Sequence, residues 1–261
     1  MRNAFWIHVI FLFGVGVACA QSPQIVEGRI LGHLSNLEKW SSYTGSSDYD
    51  KAEKENDLLK ADLLRYGRIA STMSYAFPLL KNKMYVVTSK DRRFRIYSWD
   101  SETGGTMHDF ENVFQFRAND GTVGTWTRRR GEGDGGGAFY HDIFQVSSSD
   151  GPAYLAVSTF IGSTSLAGQT ISAFRINGPK LDSNARIIQT KSGPQNSIGF
   201  EYDFFSVVKH PERPVKLFFF DETKGTFRFP VVIEDKETPQ GRVTDRFITY
   251  KFNGKYFVKV S

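Results

Sequence analysis

The sequence is almost free of cysteine, since Cys19 is the single one among 261 residues. This scarcity excludes an intrachain disulfide and any metal site or nucleophile built on a set of cysteines. Charge of one sign is not in large excess either, because 33 basic residues stand against 28 acidic ones, giving a net charge of +5. Long apolar runs are absent after the first twenty residues. The chain must therefore gain its stability from packing.

The one long apolar run, residues 4–17, follows Arg2 and ends in Ala18-Cys19-Ala20. A positive start, a short apolar stretch and a small-x-small exit predict a secretory signal peptide over residues 1–20, too short for a membrane span. We therefore expect an exported protein, periplasmic or secreted. Cleavage after Ala20 would remove the only thiol, whereas cleavage before Cys19 would leave a lipid-anchored protein. The sequence leaves both sites open, although Gly16 stands where a lipoprotein signal usually has a branched aliphatic residue.

Familiar catalytic motifs are also missing. The chain has no G-x-S-x-G, no H-E-x-x-H and no P-loop. Residues 131–136 do match G-x-G-x-x-G, but the following residues 139–146 have the pattern of a strand, and a dinucleotide site needs a helix there. We therefore predict no cofactor.

The N-terminal part divides into two stretches. Residues 21–46 are weakly patterned and end in small polar residues, which favours a flexible segment. A single packing helix is predicted near residues 48–66, with Asp48 as N-cap, an apolar stripe that includes Leu59 and Leu63, and Gly67 as its stop. We expect residues 47–261 to form one β-rich domain that begins with this helix.

From residue 83 onward the chain becomes a series of short β-type runs separated by turn signals such as Asn253-Gly254. Aromatic residues make up 15% of the chain, including 23 Phe, which suits a sheet-rich core. These patterns predict an all-β fold, an antiparallel meander of about twelve short strands. The meander could close as a sandwich, a partly closed barrel or a propeller-like array. In residues 93–99 the alternation places Phe94 and Ile96 on one face and Tyr97 and Trp99 on the other.

The most distinctive string is Y-S-W-D at residues 97–100 followed by G-G-T-M-H at residues 104–108. Here the chain resembles a family of uncharacterised exported bacterial proteins, mostly from Bacteroidota, that carry a YSWD…GGTMH segment. The resemblance continues through residues 201–208, 211–215 and 250–257, and so covers most of the chain after the helix. It implies an exported location and a β-rich fold, and it implies no activity.

Two interpretations of this string are open. In the first, Trp99 packs a rigid corner, Asp100 accepts hydrogen bonds from turn amides, and the glycines allow a sharp reversal. In the second, the string and a basic cluster form a loop-built binding site in which an exposed aromatic stacks on a sugar or peptide. The candidate binding residues are Trp99, Asp100, Gly104, Gly105, His108, Arg128, Arg129 and Arg130. The basic cluster suggests an anionic glycan or an envelope surface as partner, and export argues against nucleic acid.

Three histidines, His108, His141 and His210, are weak candidates for a metal site. Two of them precede an aspartate directly, but adjacent strand residues point to opposite faces unless the backbone bulges. The sequence therefore favours a non-catalytic binding protein with an unidentified envelope or extracellular ligand. The alternative is a polysaccharide-directed hydrolase that uses dispersed Asp, Glu and His, for which paired carboxylates across a groove would be evidence. A third hypothesis, a structural envelope component, predicts no pocket.

Overall fold

The structure, a computed structural model, describes residues 21–44, 47–128, 136–148 and 150–260. Two helices come first, α1 Pro23–Trp40 and α2 Tyr49–Tyr66. Short 3-10 turns lie at Ala70–Met73, Pro78–Leu80 and Phe204–Val207. Within the described residues, fifteen strands complete the chain. They are β1 Tyr85–Thr88, β2 Phe94–Asp100, β3 Phe110–Arg117, β4 Val123–Trp126, β5 Phe139–Ser148, β6 Gly151–Ile161, β7 Leu166–Asn177, β8 Lys180–Asp182, β9 Ile188–Thr190, β10 Gly193–Gln195, β11 Ser197–Asp203, β12 Phe219–Asp221, β13 Thr226–Ile233, β14 Arg242–Phe252 and β15 Phe257–Val260.

Helix α1 corrects the prediction of a flexible segment over residues 21–46. Ser22 caps its first turn by accepting the Ile25 N–H, and Pro23 lies at the first helical position, where its missing N–H costs nothing. Buried residues spaced three and four apart, among them Val26, Ile30 and Leu34, form one apolar stripe. This stripe packs in the same hydrophobic cluster as α2. The small polar residues that suggested disorder begin only at Ser41, after the helix has ended.

Helix α2 confirms the predicted helix. Asp48 accepts the Lys51 N–H at 3.1 Å, and Leu59 and Leu63 are buried in the stripe that faces the sheet. Gly67 ends the helix with φ −60°, so glycine is needed here for its small size rather than for an unusual backbone angle. Neither helix, nor any other in the described residues, has the length and apolar content of a membrane span.

The strands form three sheets, in which the neighbours are antiparallel except for the parallel pair β15 and β9. The first sheet has four strands in the order β1-β2-β3-β4. The second has five strands: four lie side by side in the order β11-β7-β6-β5, and β8 pairs with β7. The third has six, in the order β10-β9-β15-β14-β13-β12. None of these sheets closes on itself in the described residues, and they stack face to face as a sandwich.

The layers run from the two helices through the first and second sheets to the third. Alternating side chains of β2 show the order, because Tyr97 and Trp99 pack with the helices while Phe94 and Ile96 pack against the second sheet. The predicted alternation in residues 93–99 is thus confirmed. The second sheet is covered on both faces, so residues 153–157 of β6 are all buried. Phe227 and Tyr250 of the third sheet close the far side of that core.

The described part of the chain is thus mostly β and antiparallel, as predicted, with fifteen strands in place of about twelve and a second helix. Residues 217–220 are apolar at every position, a pattern typical of a central strand. Only Phe219–Asp221 is extended, and it forms β12 at the edge of the third sheet, while Leu217 and Phe218 are buried in the segment before it.

Candidate functional site

A cleft with a volume of about 870 Å³ lies where strand ends of the first and second sheets meet. From the first sheet come the start of β1, the end of β2 and the start of β3, and from the second the start of β5 and the end of β6. Residues 213–215 and the 3-10 turn after β11 also line it. A cleft of this size is typical of small-molecule sites.

An aromatic wall forms one part of the cleft. The rings of Tyr85 and Phe139 stack with centroids 4.2 Å apart, and Phe110 packs against Phe139 at 4.9 Å. Phe110 and Phe139 are buried, whereas Tyr85 is 37% exposed. Burial, followed by the charge of Asp100, raises the pKa of Tyr85, so its hydroxyl stays protonated at neutral pH. Tyr85 is therefore an aromatic side chain in this wall that a ligand could contact.

A histidine and an aspartate form the polar anchor of the cleft. Asp100, the last residue of β2, accepts the Glu102 N–H through Oδ1 at 2.9 Å, and its Oδ2 lies 2.5 Å from His108 Nδ1. The Tyr43 hydroxyl lies 3.1 Å from the same nitrogen. In the tautomer that pairs with this carboxylate, Nδ1 carries the proton and Nε2 is an acceptor. Among the described residues nothing hydrogen-bonds to Nε2, so a ligand donor can do so.

Negative charge accumulates beside this anchor. Burial raises the pKa of Tyr43 far above its usual range, and the carboxylates of Asp100, Glu102 and Asp109 raise it further. Burial also raises the pKa of Glu102. A hydrogen bond from Ser41 lowers this pKa, but the charges of Asp100 and Glu38 raise it further, and the net shift is upward. Such a field favours a ligand that brings hydrogen-bond donors or a positive charge to this end of the cleft.

The structure divides the candidate binding residues predicted from the sequence. Asp100 and His108 line the cleft. Trp99 borders it too, but its side chain is 1% exposed and donates its indole N–H to Asn56, so it cannot be the exposed stacking aromatic. The structure thus contradicts the stacking interpretation of Trp99 and supports the packing one, because Trp99 lies on the face of β2 that packs against the helices.

The glycines and arginines of the prediction lie elsewhere. Gly104 and Gly105 form the turn that leads to His108, and a Cβ at Gly104 would lie 2.3 Å from the Met107 carbonyl oxygen. Arg128 borders a separate depression of about 400 Å³, beside Asn112 and Tyr140. Arg129 and Arg130 fall outside the described residues, as do residues 131–135 of the glycine loop.

The three candidate metal ligands do not meet, because each histidine pairs with its own carboxylate. His108 contacts Asp100, His141 contacts Asp142 at 2.9 Å, and His210 contacts Glu212 at 3.1 Å. A β-bulge between Tyr140 and Asp142 makes the second pair possible. Within the described ranges no group of three or more His, Cys, Asp or Glu side chains is arranged to hold a metal ion.

Several side chains of the site were not foreseen. Tyr85, Phe139 and Arg213 line the cleft, and Tyr43 contacts its histidine. His33, also unforeseen, lies between Glu55 at 2.5 Å and Asp62 at 3.1 Å, where it joins α1 to α2 away from the cleft. No local motif marks any of these residues, since each gains its position from the packing of distant segments.

Comparison with known proteins adds no relative, because no protein-family model, no curated protein and no solved structure matches this chain. The resemblance to the exported family with the YSWD…GGTMH segment stays a prediction.

Proposed function

We propose that this chain is a non-catalytic binding protein whose ligand occupies the cleft between the first and second sheets. The observation that carries the proposal is the combination, in one cleft of about 870 Å³, of an accessible aromatic ring and an oriented histidine with a vacant acceptor. The ligand presents a flat apolar face to Tyr85 and a hydrogen-bond donor to His108. A sugar ring and an aromatic amino-acid derivative share this chemistry.

The hydrolase alternative finds less support. Glycoside hydrolysis normally uses two carboxylates that face each other across the substrate. Asp100 is the one carboxylate among the described residues that line the cleft, and both of its oxygens are engaged within the protein. The structural-component alternative predicted no pocket, so the cleft argues against it as well.

The proposed location is the periplasm or the exterior, and it depends on the predicted signal peptide of residues 1–20, which lie outside the described residues. The partner class proposed from the sequence, an anionic glycan, does not fit the acidic end of the cleft. A neutral or amine-bearing ligand fits this end better, because Asp100 and Glu102 place negative charge there.

Ligand-observed NMR tests this proposal. The probes are a set of neutral monosaccharides, amino sugars and aromatic amino-acid amides, each presented to the wild-type protein and to Tyr85→Ala and His108→Ala. We expect at least one probe to bind the wild type and to lose about tenfold in affinity in each variant, as is common for central contact residues.

Matched controls come from the same residue types elsewhere. Tyr49 is 60% exposed on α2, and His210 lies on the surface; neither lines the cleft. Tyr49→Ala and His210→Ala should bind the probe as the wild type does. The proposal is overturned if no probe binds, if all four variants bind equally, or if the bound probe is chemically converted.

A further inference from the structure

The outer face of the third sheet carries an arginine held between two exposed aromatic rings. On β13, Phe227 and Phe229 point into the core, so Arg228 between them points outward. Phe219 is its direct cross-strand partner on β12. Phe247 of β14 is its diagonal neighbour, two residues from the partner Thr249. The three side chains thus form one cluster across three neighbouring strands.

The geometry fixes the guanidinium in place. Its central carbon lies 5.5 Å from the centroid of the Phe219 ring and 4.7 Å from that of Phe247. The two rings meet edge to face with centroids 5.9 Å apart. Phe219 and Phe247 remain 38% and 41% exposed, unusual for phenylalanine. Contact with both rings reduces the rotamer freedom that an exposed arginine would lose on binding a ligand.

The donors of this arginine have no partner inside the described protein. The side chain of Arg228 contacts the two rings but makes no hydrogen bond and no ion pair with any described residue. A guanidinium offers five N–H donors in a planar fork that matches a carboxylate or a sulfate group. A fixed fork with unused donors therefore points to an anionic group as its ligand.

The surroundings add positive charge and hydroxyl groups. Lys251 lies on the same outer face, diagonal to Arg228, and it is exposed. Thr226 is the cross-strand partner of Lys251, and Thr249 is the cross-strand partner of Arg228. The carboxylate of Asp221, at the end of β12, is paired with Lys224 at 3.3 Å. This face thus combines apolar rings, hydroxyls and two cations that form no ion pair with a described residue, which is complementary to an anionic sugar polymer.

We propose that this face, centred on Arg228 between Phe219 and Phe247, binds an anionic polysaccharide. The guanidinium takes the carboxylate or sulfate group, and the exposed parts of the two rings pack on the sugar. The site is separate from the cleft, so it does not depend on the function proposed above.

Affinity electrophoresis in native gels, followed by calorimetric measurement of Kd, tests the proposal. The probes are polygalacturonate for the carboxylate, dextran sulfate for the sulfate and unmodified dextran as the neutral polymer. We expect retention by at least one charged polymer and none by dextran. Arg228→Ala should weaken Kd by about tenfold, and Phe247→Ala by about threefold. Arg228→Lys should weaken it too, because lysine keeps the charge and loses the planar fork.

The control must separate a site from the general attraction of a chain with a net charge of +5. Lys191→Ala removes one positive charge from the turn between β9 and β10, at the opposite edge of the same sheet. It should change Kd less than twofold, about the screened effect of one distant charge. The proposal is overturned if Lys191→Ala weakens binding as much as Arg228→Ala does, if neither charged polymer binds, or if single-stranded DNA binds more tightly than both. Binding of only one charged polymer supports the proposal and identifies the anionic group.

Discussion

Trp99 of β2 donates its indole Nε1–H to Oδ1 of Asn56 on α2, at 2.8 Å, and both side chains are buried. The Asn56 amide in turn donates to the Ser101 carbonyl oxygen at 2.6 Å and to the Ala52 carbonyl oxygen at 3.1 Å. One asparagine thus joins the helix to the end of the strand that carries Asp100. The corner next to the cleft is rigid because this buried network is satisfied.

Asn56→Ala should lower the free energy of unfolding by about 2–4 kcal/mol, since it leaves the Trp99 N–H and the Ser101 carbonyl buried without partners. Urea denaturation measures the loss. Asn36→Ala is the control, because Asn36 is exposed on α1 and makes one hydrogen bond, to Glu55. It should change the free energy by about 0.5 kcal/mol or less. Equal losses in both variants would contradict the role given to Asn56.

Gly67, directly after α2, and Gly28, inside α1, should respond to alanine with opposite changes in stability. A Cβ at Gly67 would lie 2.6 Å from the Leu63 carbonyl oxygen and 2.7 Å from Cγ2 of Thr125 on β4. Gly67→Ala should therefore lower the free energy of unfolding by about 1–3 kcal/mol. Gly28 lies inside α1 with open space around its Cβ position. Gly28→Ala should raise the free energy of unfolding by about 0.5–1 kcal/mol, because alanine is the better helix former.

Thermal or urea unfolding of the two variants measures these changes in the free energy of unfolding. No loss in Gly67→Ala would show that the close approach of α2 to β4 is not what requires glycine at residue 67. A loss in Gly28→Ala would contradict the gain in helix propensity expected inside α1.

Local patterns predicted the parts of the fold that depend on neighbours in sequence. The period-two alternation of residues 93–99 gave the correct faces of β2, and the stripe of α2 gave the correct helix. Helix α1 was missed although its stripe at Val26, Ile30 and Leu34 is regular. Gly28 and Gly32 lower its helical propensity, and its first turn has no acidic residue to mark the start.

The site was harder to predict because its parts come from distant segments. Asp100 and His108 stand close in sequence and were among the predicted residues. Tyr85 and Arg213 line the same cleft only because the first sheet packs on the second. For Trp99 the sequence left a packing role and a stacking role open, since it does not show that a helix covers that face of β2. The structure supports the packing role. The bulge before Asp142 has no signal in the sequence either.

Asp142 should make stability depend on acid pH. Burial opposes its ionisation, but the hydrogen bond and charge of His141, with the charge of Lys216, outweigh burial and lower the pKa of Asp142. A carboxyl with a depressed folded-state pKa contributes stability above its ordinary pKa of about 3.9, and this contribution is lost as pH falls toward the folded-state value. Urea midpoints at several pH values should therefore fall more steeply with acid in the wild type than in Asp142→Asn.

The control for this pH profile is Asp245→Asn, since Asp245 is exposed and makes no hydrogen bond or ion pair with a described residue. Its profile should follow that of the wild type. If Asp142→Asn also follows the wild type below about pH 4, the His141–Asp142 pair does not contribute to acid stability.

Glu102 should give the opposite pH dependence. Its pKa is raised by burial, with further contributions from the charges of Asp100 and Glu38. A carboxyl with a raised folded-state pKa binds protons more tightly in the folded protein, so stability falls as pH rises from its ordinary pKa through the folded-state value. Glu102→Gln removes the charge and keeps an acceptor for the Ser41 hydroxyl. At pH 7 it should raise the free energy of unfolding by up to about 1 kcal/mol after solvent screening. The gain should shrink below about pH 4, where the wild-type carboxyl is protonated in both states. A gain that is the same at both pH values would contradict this explanation, because it would show that the charge of Glu102 is not the cause.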